Sequence, residues 1–172
     1  WGGPPDVRSM AADPSGNLYV NVHVGGVARS RAGNGAWEPT IELDADVHQV
    51  LFDPGSGLLL AASAKGLADS GDEGASWVFD TGGLHGGYLR AVAVAGGSVL
   101  VSASTGPFTE RAAIYRKPLD GGETFGRCQN GLPEWFSDNI DTHCLAASGP
   151  AVAFGTSEGE AYLSSDEGES WN

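Results

Sequence analysis

One octapeptide returns at regular intervals along this chain of 172 residues, and it constrains the fold more than any other feature. Full copies read SGDEGASW at Ser70–Trp77 and SSDEGESW at Ser164–Trp171. Looser copies read PLDGGETF at Pro118–Phe125 and SRAGNGAW at Ser30–Trp37. The final ring residues of successive copies are 40, 48 and 46 residues apart. A period of this length indicates a repeat architecture in which each repeat forms one supersecondary unit.

Each residue type in the octapeptide suits a tight turn between two strands. Gly74 and Gly168 allow the positive φ that a short hairpin demands. Asp72 and Asp166 can accept hydrogen bonds from backbone N–H groups of that turn. The tryptophan at the end of each full copy should bury its ring in the sheet. We therefore expect the octapeptide aspartates to be structural rather than calcium-binding or catalytic.

Four repeat units follow from this spacing, at approximately 2–37, 38–77, 78–125 and 126–171. Each unit contains short apolar stretches separated by Gly, Pro and Asn turn signals. Almost no helix is expected, because no window has sustained helical spacing of apolar residues. The first strands are predicted at Asp6–Asp13, Asp46–Asp53, Tyr88–Ala95 and Asp141–Ser148. Four antiparallel strands per repeat are typical of a β-propeller blade, so the sequence predicts an all-β propeller fold.

The full copies fit the pattern S-x-D-x-G-x-x-W. On this motif the whole chain resembles the Asp-box (BNR) repeat β-propellers of the sialidase-like superfamily. It is similar in particular to bacterial BNR-repeat proteins labelled sialidase-like, glycosyl-hydrolase-like or photosystem II assembly factor-like. The resemblance implies a complete ring of six to eight blades. We expect four four-stranded blades from such a ring, cut from a longer protein, because Trp1 resembles the last residue of a preceding box.

A second repeating pattern lies on the first strands. Aligning them superposes a carboxylate or phenol and, two positions on, a cationic or titratable residue. Residues i and i+2 of a strand point the same way, so each pair should share one side. In proteins that this chain resembles, sites are pockets around the central channel, on the face opposite the octapeptide turns. The predicted ring of pairs at that channel mouth is Asp6 and Arg8, Asp46 and His48, Tyr88 and Arg90, and Asp141 and His143.

Two interpretations of this ring stay open. In the first interpretation, the pairs form local ion pairs whose role is to seal the channel entrance. Alternatively, the ring could bind an anionic or polyhydroxylated ligand. A metal site built from His48 and His143 with Asp46 and Asp141 is a less favoured hypothesis. We predict no metal and no cofactor.

Enlarged loops on the same predicted face supply further candidates. They are Asp80–Tyr88, Thr105–Ala112 and Gly126–Asp141. Extended loops on a rigid scaffold often carry function, so His85 and Trp135 are predicted to contact a ligand. Phe108 and Phe136 could stack on the same ligand. Trp135 and Phe136 could equally cap the channel or fill a groove beneath their own loop.

The function expected from these features is a non-enzymatic scaffold or binding module. Its partner would be a carbohydrate, an anionic small molecule or a protein. A glycoside hydrolase is the alternative, and whether the chain is an enzyme stays open. A sialidase-like site would need three arginines, and Arg8, Arg90 and Tyr88 suit it, but His48 and His143 take the remaining positions. A xyloglucanase-like site would instead need paired carboxylates across the channel.

Composition excludes some classes of function. The formal net charge of −13 argues against nucleic-acid binding through phosphates. No apolar run approaches the roughly 18 residues of a membrane span, and no signal peptide is visible. We therefore expect a soluble protein, with a cytoplasmic location favoured over secretion. Cys128 and Cys144 could form a disulfide or remain thiols.

Overall fold

A computed structural model describes residues 6–172, so Trp1 and the start of the first predicted unit at Gly2 lie outside the described residues. Sheet one contains β1 (Val7–Ala12), β2 (Leu18–Val22), β3 (Val27–Ser30) and β4 (Glu38–Pro39). Sheet two contains β5 (Val47–Asp53), β6 (Leu58–Ser63), β7 (Gly66–Ser70) and β8 (Val78–Asp80). Sheet three contains β9 (Tyr88–Ala95), β10 (Ser98–Ser104), β11 (Ala113–Pro118) and β12 (Gly126–Arg127). Sheet four contains β13 (Leu145–Ser148), β14 (Ala151–Gly155) and β15 (Ala161–Ser164), and a 3-10 helix (Leu43–Ala45) precedes β5.

Each sheet is an antiparallel meander whose strands pair in chain order, which is the construction of a propeller blade. Hydrophobic clusters fill the space between successive blades. Their largest members include Tyr19 and Leu59 between blades one and two, Leu60 and Leu89 between blades two and three, and Leu100 and Ile114 between blades three and four. Within residues 6–172, no comparable cluster joins blade four to blade one. The chain therefore forms an open arc, a partial β-propeller, and the all-β prediction is confirmed.

Burial of the strands follows from their place in the arc. Strand β10 is buried at every position, because blades two and four cover both of its faces. Strand β1 is packed on one face only, and it leaves Met10 71% exposed and Val7 56% exposed. Leu163 on blade four is 58% exposed. The two ends of the arc thus present apolar side chains to solvent.

The octapeptide forms the predicted turn. In the first full copy, the Asp72 carboxylate accepts hydrogen bonds from the Ser76 N–H and the Ser70 hydroxyl, both at 2.8 Å. The Ser70 hydroxyl oxygen also accepts the Gly74 N–H at 2.8 Å. The central residues Glu73 and Gly74 have φ values of 59° and 81°. Two successive positive φ values are typical of a type I′ hairpin turn, so the structural role of the glycine is confirmed.

The second full copy repeats these bonds around Asp166, but the ring residues of the four copies differ in burial. Trp171 is 6% exposed and donates its indole N–H to the Gly168 carbonyl at 3.0 Å. Trp77 is only half-buried, so its expected burial is wrong in part. Trp37, in the loosest copy, is 52% exposed because it precedes a two-residue strand at the end of the arc.

Blade four departs from the prediction in two ways. It has three strands rather than four, although Leu163 and Asn172 exchange both backbone hydrogen bonds where a fourth strand would begin. Its first strand begins at Leu145 instead of Asp141. Residues 141–144 form a turn closed by a 2.9 Å bond from the Cys144 N–H to the Asp141 carbonyl. His143 has a φ of 62°, which an extended strand cannot accommodate.

Both cysteines are free thiols, so the disulfide alternative is not realised. Cys128 is buried between blades three and four, and this burial raises the pKa of its thiol to about 11. Cys144 is exposed.

Across the described range, no helix has the length and hydropathy needed to cross a bilayer.

Candidate functional site at the channel mouth

Residues from three blades enclose a cavity of about 220 Å³ on the face of the blade-to-blade loops. We call this cavity the mouth pocket. Its lining consists of Arg8, His23, Val24, Asp46, His48, Tyr88, Arg90, Pro107 and Phe108. Five of the predicted binding residues line it, namely Arg8, Asp46, His48, Tyr88 and Arg90. Asp6, Asp141 and His143 contact its lining residues or their backbone, whereas His85 and Trp135 lie in a separate cluster.

A β-bulge occurs at the same aligned position in each of the first three blades. One extra residue stands between the pairs Val7–Val22 and Ser9–Asn21, and that residue is Arg8. His48 is the extra residue of β5, and β9 has its extra residue at Arg90–Ala91. Bulges re-aim side chains and are over-represented beside active sites. They explain why these cationic and imidazole groups reach the channel mouth.

His48 is a neutral, oriented acceptor in the mouth pocket. Its Nδ1 lies 2.6 Å from the Leu89 carbonyl oxygen, so Nδ1 carries the proton and donates it to that carbonyl. Burial lowers the pKa of His48, which is 2% exposed. Its Nε2, 3.6 Å from an Asp46 carboxylate oxygen, is therefore left as a hydrogen-bond acceptor. The ring also packs on Tyr88 at a centroid distance of 4.7 Å.

Arg90 links two blades. It donates to the Asp141 carboxylate at 3.1 Å and, at 3.4 Å, to the hydroxyl of Tyr88. Burial alone would lower the pKa of Arg90, but attraction by Asp141 and Tyr88 raises it above its usual value. The ion pair thus forms between neighbouring blades, whereas neutral His48 lies beside Asp46 of its own blade without forming an ion pair.

Arg8 has a different environment from Arg90. The predicted partner, Asp6, lies 3.2 Å from His23 instead, because the bulge turns Arg8 away from it. Within residues 6–172, no carboxylate lies within 4.0 Å of the Arg8 guanidinium. His143 reaches across from blade four, and its Nε2 is 3.2 Å from the Arg8 carbonyl oxygen. The mouth pocket therefore contains one cation without a carboxylate counterion.

Residues with positive φ and two of the four unsatisfied buried polar atoms of the described range lie at or beside the mouth pocket. Outside the octapeptide turns, the described non-glycine residues with positive φ are Val24 at 54°, Asp46 at 48° and His143 at 62°. Each such conformation costs about 1–3 kcal/mol and typically persists at functional sites. Asp46 Oδ1 and Arg90 Nε are buried and lack a hydrogen-bond partner within the described range.

The predicted candidates His85 and Trp135 form a second cluster, away from the mouth pocket. The His85 ring lies 4.6 Å from the Trp135 ring and 5.6 Å from the Tyr115 ring. Its Nδ1 is 2.9 Å from the Tyr115 hydroxyl, and its Nε2 is 3.0 Å from the Arg111 carbonyl oxygen. Phe136 is 6% exposed and fills the core beneath its loop, which is the groove-filling alternative.

Sequence reasoning missed three lining residues, His23, Val24 and Pro107. They belong to the loops between the second and third strands of blades one and three. These loops were predicted on the same face as the ring of pairs, and that placement could have identified the three residues. It did identify Phe108, which is 88% exposed at the rim of the mouth pocket. Across residues 6–172, no three side chains of His, Cys, Asp or Glu come together as a metal site requires.

Comparisons with solved structures support the fold. An ancestral GH74 enzyme matches with a TM-score of 0.69 and 18% identity over 96% of this chain and 23% of that chain. The extracellular domain of BT4673 from B. thetaiotaomicron matches with a TM-score of 0.72 and 13% identity over 98% of this chain and 22% of that one. YCF48 bound to D1 peptide matches with a TM-score of 0.60 and 12% identity over 98% of this chain and 53% of that one.

These matches define the class of protein, a β-propeller, and at such identities they show the fold alone. The chain spans about a quarter to a half of the length of these neighbours. No protein-family model matches the sequence, and no curated protein sequence does. The BT4673 structure, and that of a further neighbour, BT3049 from B. thetaiotaomicron, are extracellular domains. The comparisons therefore do not favour the expected cytoplasmic location.

Proposed function

We propose that this chain is a non-enzymatic binding module of the Asp-box propeller type, and that its mouth pocket binds one sugar acid or a similar small hydroxylated anion. The observation that carries the proposal is the Arg8 guanidinium, because Arg8 lines this cavity and has no carboxylate within 4.0 Å among residues 6–172. Asp46 and His48 line the same cavity and present hydrogen-bond acceptors.

The lining favours a ligand with both an anionic group and hydroxyl groups. Arg8 offers the N–H donors that a carboxylate needs. Asp46 and the Nε2 of His48 offer acceptors for hydroxyl protons. Phe108 and Tyr88 supply apolar ring surface for the C–H face of a sugar. A cavity of about 220 Å³ suits a single ring better than the roughly 300–1,000 Å³ pockets of drug-sized ligands.

The arrangement of carboxylates favours a binding module over a glycoside hydrolase. Glycosidases use two carboxyl groups, one on each side of the scissile bond. Asp46 is the carboxylate that lines the mouth pocket, and Asp141 is engaged by Arg90 at 3.1 Å. Turnover of aryl glycosides would nevertheless be decisive evidence for an enzyme, so those substrates belong in the same set of assays.

Calorimetric titration with D-glucuronate, D-glucose and acetate tests the proposal. We expect glucuronate to bind, and both glucose and acetate to bind at least tenfold more weakly, because each lacks half of the required groups. Arg8→Gln should weaken glucuronate binding by about tenfold, through loss of one charged hydrogen-bonding group.

Arg31→Gln is the matched control, because Arg31 is half-exposed on blade one and pairs with Glu38 and Glu73 instead of lining the pocket. This variant should bind glucuronate as the wild type does. Equal affinity of the Arg8→Gln and wild-type proteins would overturn the assignment of Arg8. Absence of glucuronate binding to the wild type would overturn the proposed ligand class.

A further inference from the structure

The basic residues of this acidic protein divide into two groups. Six of the nine lie within 4.0 Å of a carboxylate, namely Arg29, Arg31, Lys65, Arg90, Arg116 and Lys117. Arg8 lines the mouth pocket. The remaining two, Arg111 and Arg127, have no carboxylate at that distance within residues 6–172, although the chain contains 22 Asp and Glu residues.

Arg111 and Arg127 pack on the same indole ring. The guanidinium carbon of Arg111 lies 4.4 Å from the centre of the Trp135 ring, and that of Arg127 lies 4.5 Å from it. The separation of the two guanidinium carbons therefore cannot exceed the sum of these two distances. A guanidinium stacked on a ring is held by its flat face and keeps the N–H donors at its edge available. Trp135 thus orients two sets of cationic donors around one ring.

Main-chain hydrogen bonds fix the elements that carry the two arginines. Ala112, next to Arg111, exchanges backbone hydrogen bonds of 3.0 and 2.8 Å with Phe136, next to Trp135. Arg127 lies in β12, and one of its terminal nitrogens donates to the Glu134 carbonyl oxygen at 2.8 Å. The other guanidinium N–H groups of Arg127 make no hydrogen bond within residues 6–172. The pair is therefore positioned before any ligand binds.

Two guanidinium groups held on one ring suit a tetrahedral oxyanion better than a carboxylate. A single guanidinium fork satisfies both oxygens of a carboxylate, which lie in one plane. A phosphate or sulfate ester directs three terminal oxygens outward and can accept from two forks at once. Trp135 also borders a cavity of about 250 Å³ lined by Asp138, Glu158 and Glu160, but none of these carboxylates lies within 4.0 Å of either arginine.

We propose that Arg111 and Arg127, stacked on Trp135, form a second binding site for the tetrahedral oxyanion group of a phosphate or sulfate ester. The site is separate from the mouth pocket, since none of the three residues lines that cavity. Arg111 and Trp135 lie on the loops after β10 and β12, and Arg127 is the last residue of β12. The proposal does not depend on the ligand of the mouth pocket.

Tryptophan fluorescence titrations with inorganic phosphate, inorganic sulfate and acetate, at constant ionic strength, test this site. We expect a saturable change with phosphate, sulfate or both, and the two arms show which oxyanion is preferred. Acetate should bind at least tenfold more weakly. Trp135→Phe should remove most of the signal, which would assign the reporter. The Arg111→Gln, Arg127→Gln double variant should bind the preferred oxyanion roughly tenfold or more weakly.

Arg31→Gln is again the control and should leave oxyanion affinity unchanged. Circular dichroism spectra of each variant verify that the fold is retained. If the double variant does not fold, the single Arg127→Gln variant and the wild-type titration still decide the question. The proposal is overturned if neither oxyanion gives a saturable change with the wild type, or if folded arginine variants bind as tightly as the wild type. In that case the arginines only pack on Trp135.

Discussion

At the scale of single residues, two aspartates of the same blade, Asp72 and Asp46, have opposite roles. Asp72 has a structural role in its turn, because its carboxylate accepts hydrogen bonds from Ser70 and Ser76. Asp46 keeps one oxygen buried without a partner in the described range and holds a strained backbone conformation. Satisfied polar groups stabilise a fold, whereas unsatisfied ones mark sites where stability has been given up for another purpose.

The turn role of Asp72 predicts a difference from Asp120, its counterpart in the looser copy. The Asp120 side chain accepts no hydrogen bond within residues 6–172, and proline stands in place of the first serine of the octapeptide there. Asp72→Ala should lower the melting temperature, and Asp120→Ala should leave it nearly unchanged. Thermal unfolding of both variants measures this difference. Equal melting temperatures for the two variants would show that the hydrogen bonds of the turn do not stabilise the blade.

The pH dependence of stability should follow from the same bonds. Hydrogen bonds from Ser76 and Ser70 lower the pKa of Asp72 to about 2, from an ordinary 3.8. The folded state therefore resists protonation more than the unfolded chain, and the stabilisation is complete above pH 3.8 and lost as pH falls through about 2. Urea unfolding of the wild type and of Asp72→Asn, which cannot titrate, should give a free-energy difference that shrinks over this range. A constant difference would contradict the pKa shift.

At the scale of elements, the blades are stabilised chiefly by packing on one another. Their strands are short, and each inter-blade cluster draws side chains from two sheets. The sequence predicted most of these strands because apolar runs and Gly/Pro turn signals alternate regularly along the chain. The bulges at Arg8, His48 and Arg90 could not be predicted in the same way. A bulge is set by strand pairing, and pairing partners are distant in sequence.

Leu100 and Leu163 provide a matched test of inter-blade packing. Leu100 is fully buried between blades three and four, whereas Leu163 is 58% exposed. Leu100→Ala should lower the free energy of unfolding by about 2–5 kcal/mol. Leu163→Ala should change it by less than about 0.5 kcal/mol. Urea denaturation measures both values. A large loss for Leu163→Ala would indicate that this end of the arc is covered in solution.

At the scale of the whole molecule, blades one and four approach each other at the channel mouth. Within residues 6–172, no hydrophobic cluster joins these two blades. Blade four reaches blade one at the channel mouth through the 3.2 Å contact of His143 with the Arg8 carbonyl. The partial propeller was predictable from the period of the octapeptide. The three-stranded fourth blade and the turn at 141–144 were not, because aligned residues need not adopt aligned backbones. For the same reason the eight residues of the predicted ring are arranged unequally: five line the mouth pocket, and Asp6, Asp141 and His143 lie beside it.

The exposed ends of the arc predict association of the chain at high concentration. Met10, 71% exposed on blade one, lies on an apolar face, and such faces promote association. Met10→Glu should therefore reduce association measured by sedimentation velocity. Leu43→Glu is the control, because Leu43 is 72% exposed but lies on the 3-10 helix. Equal sedimentation of the wild type and both variants at every concentration would contradict this prediction.

The most direct test of the mouth pocket is a nuclear magnetic resonance titration of arginine side chains with D-glucuronate. The Nε–H signals of Arg8 and Arg90 should shift in a saturable way, because both guanidinium groups line the cavity. The signal of Arg31, which pairs with Glu38 and Glu73 away from the cavity, should not move. Unchanged Arg8 and Arg90 signals at saturating glucuronate, or equal shifts of all three arginines, would contradict a ligand-binding role for this pocket.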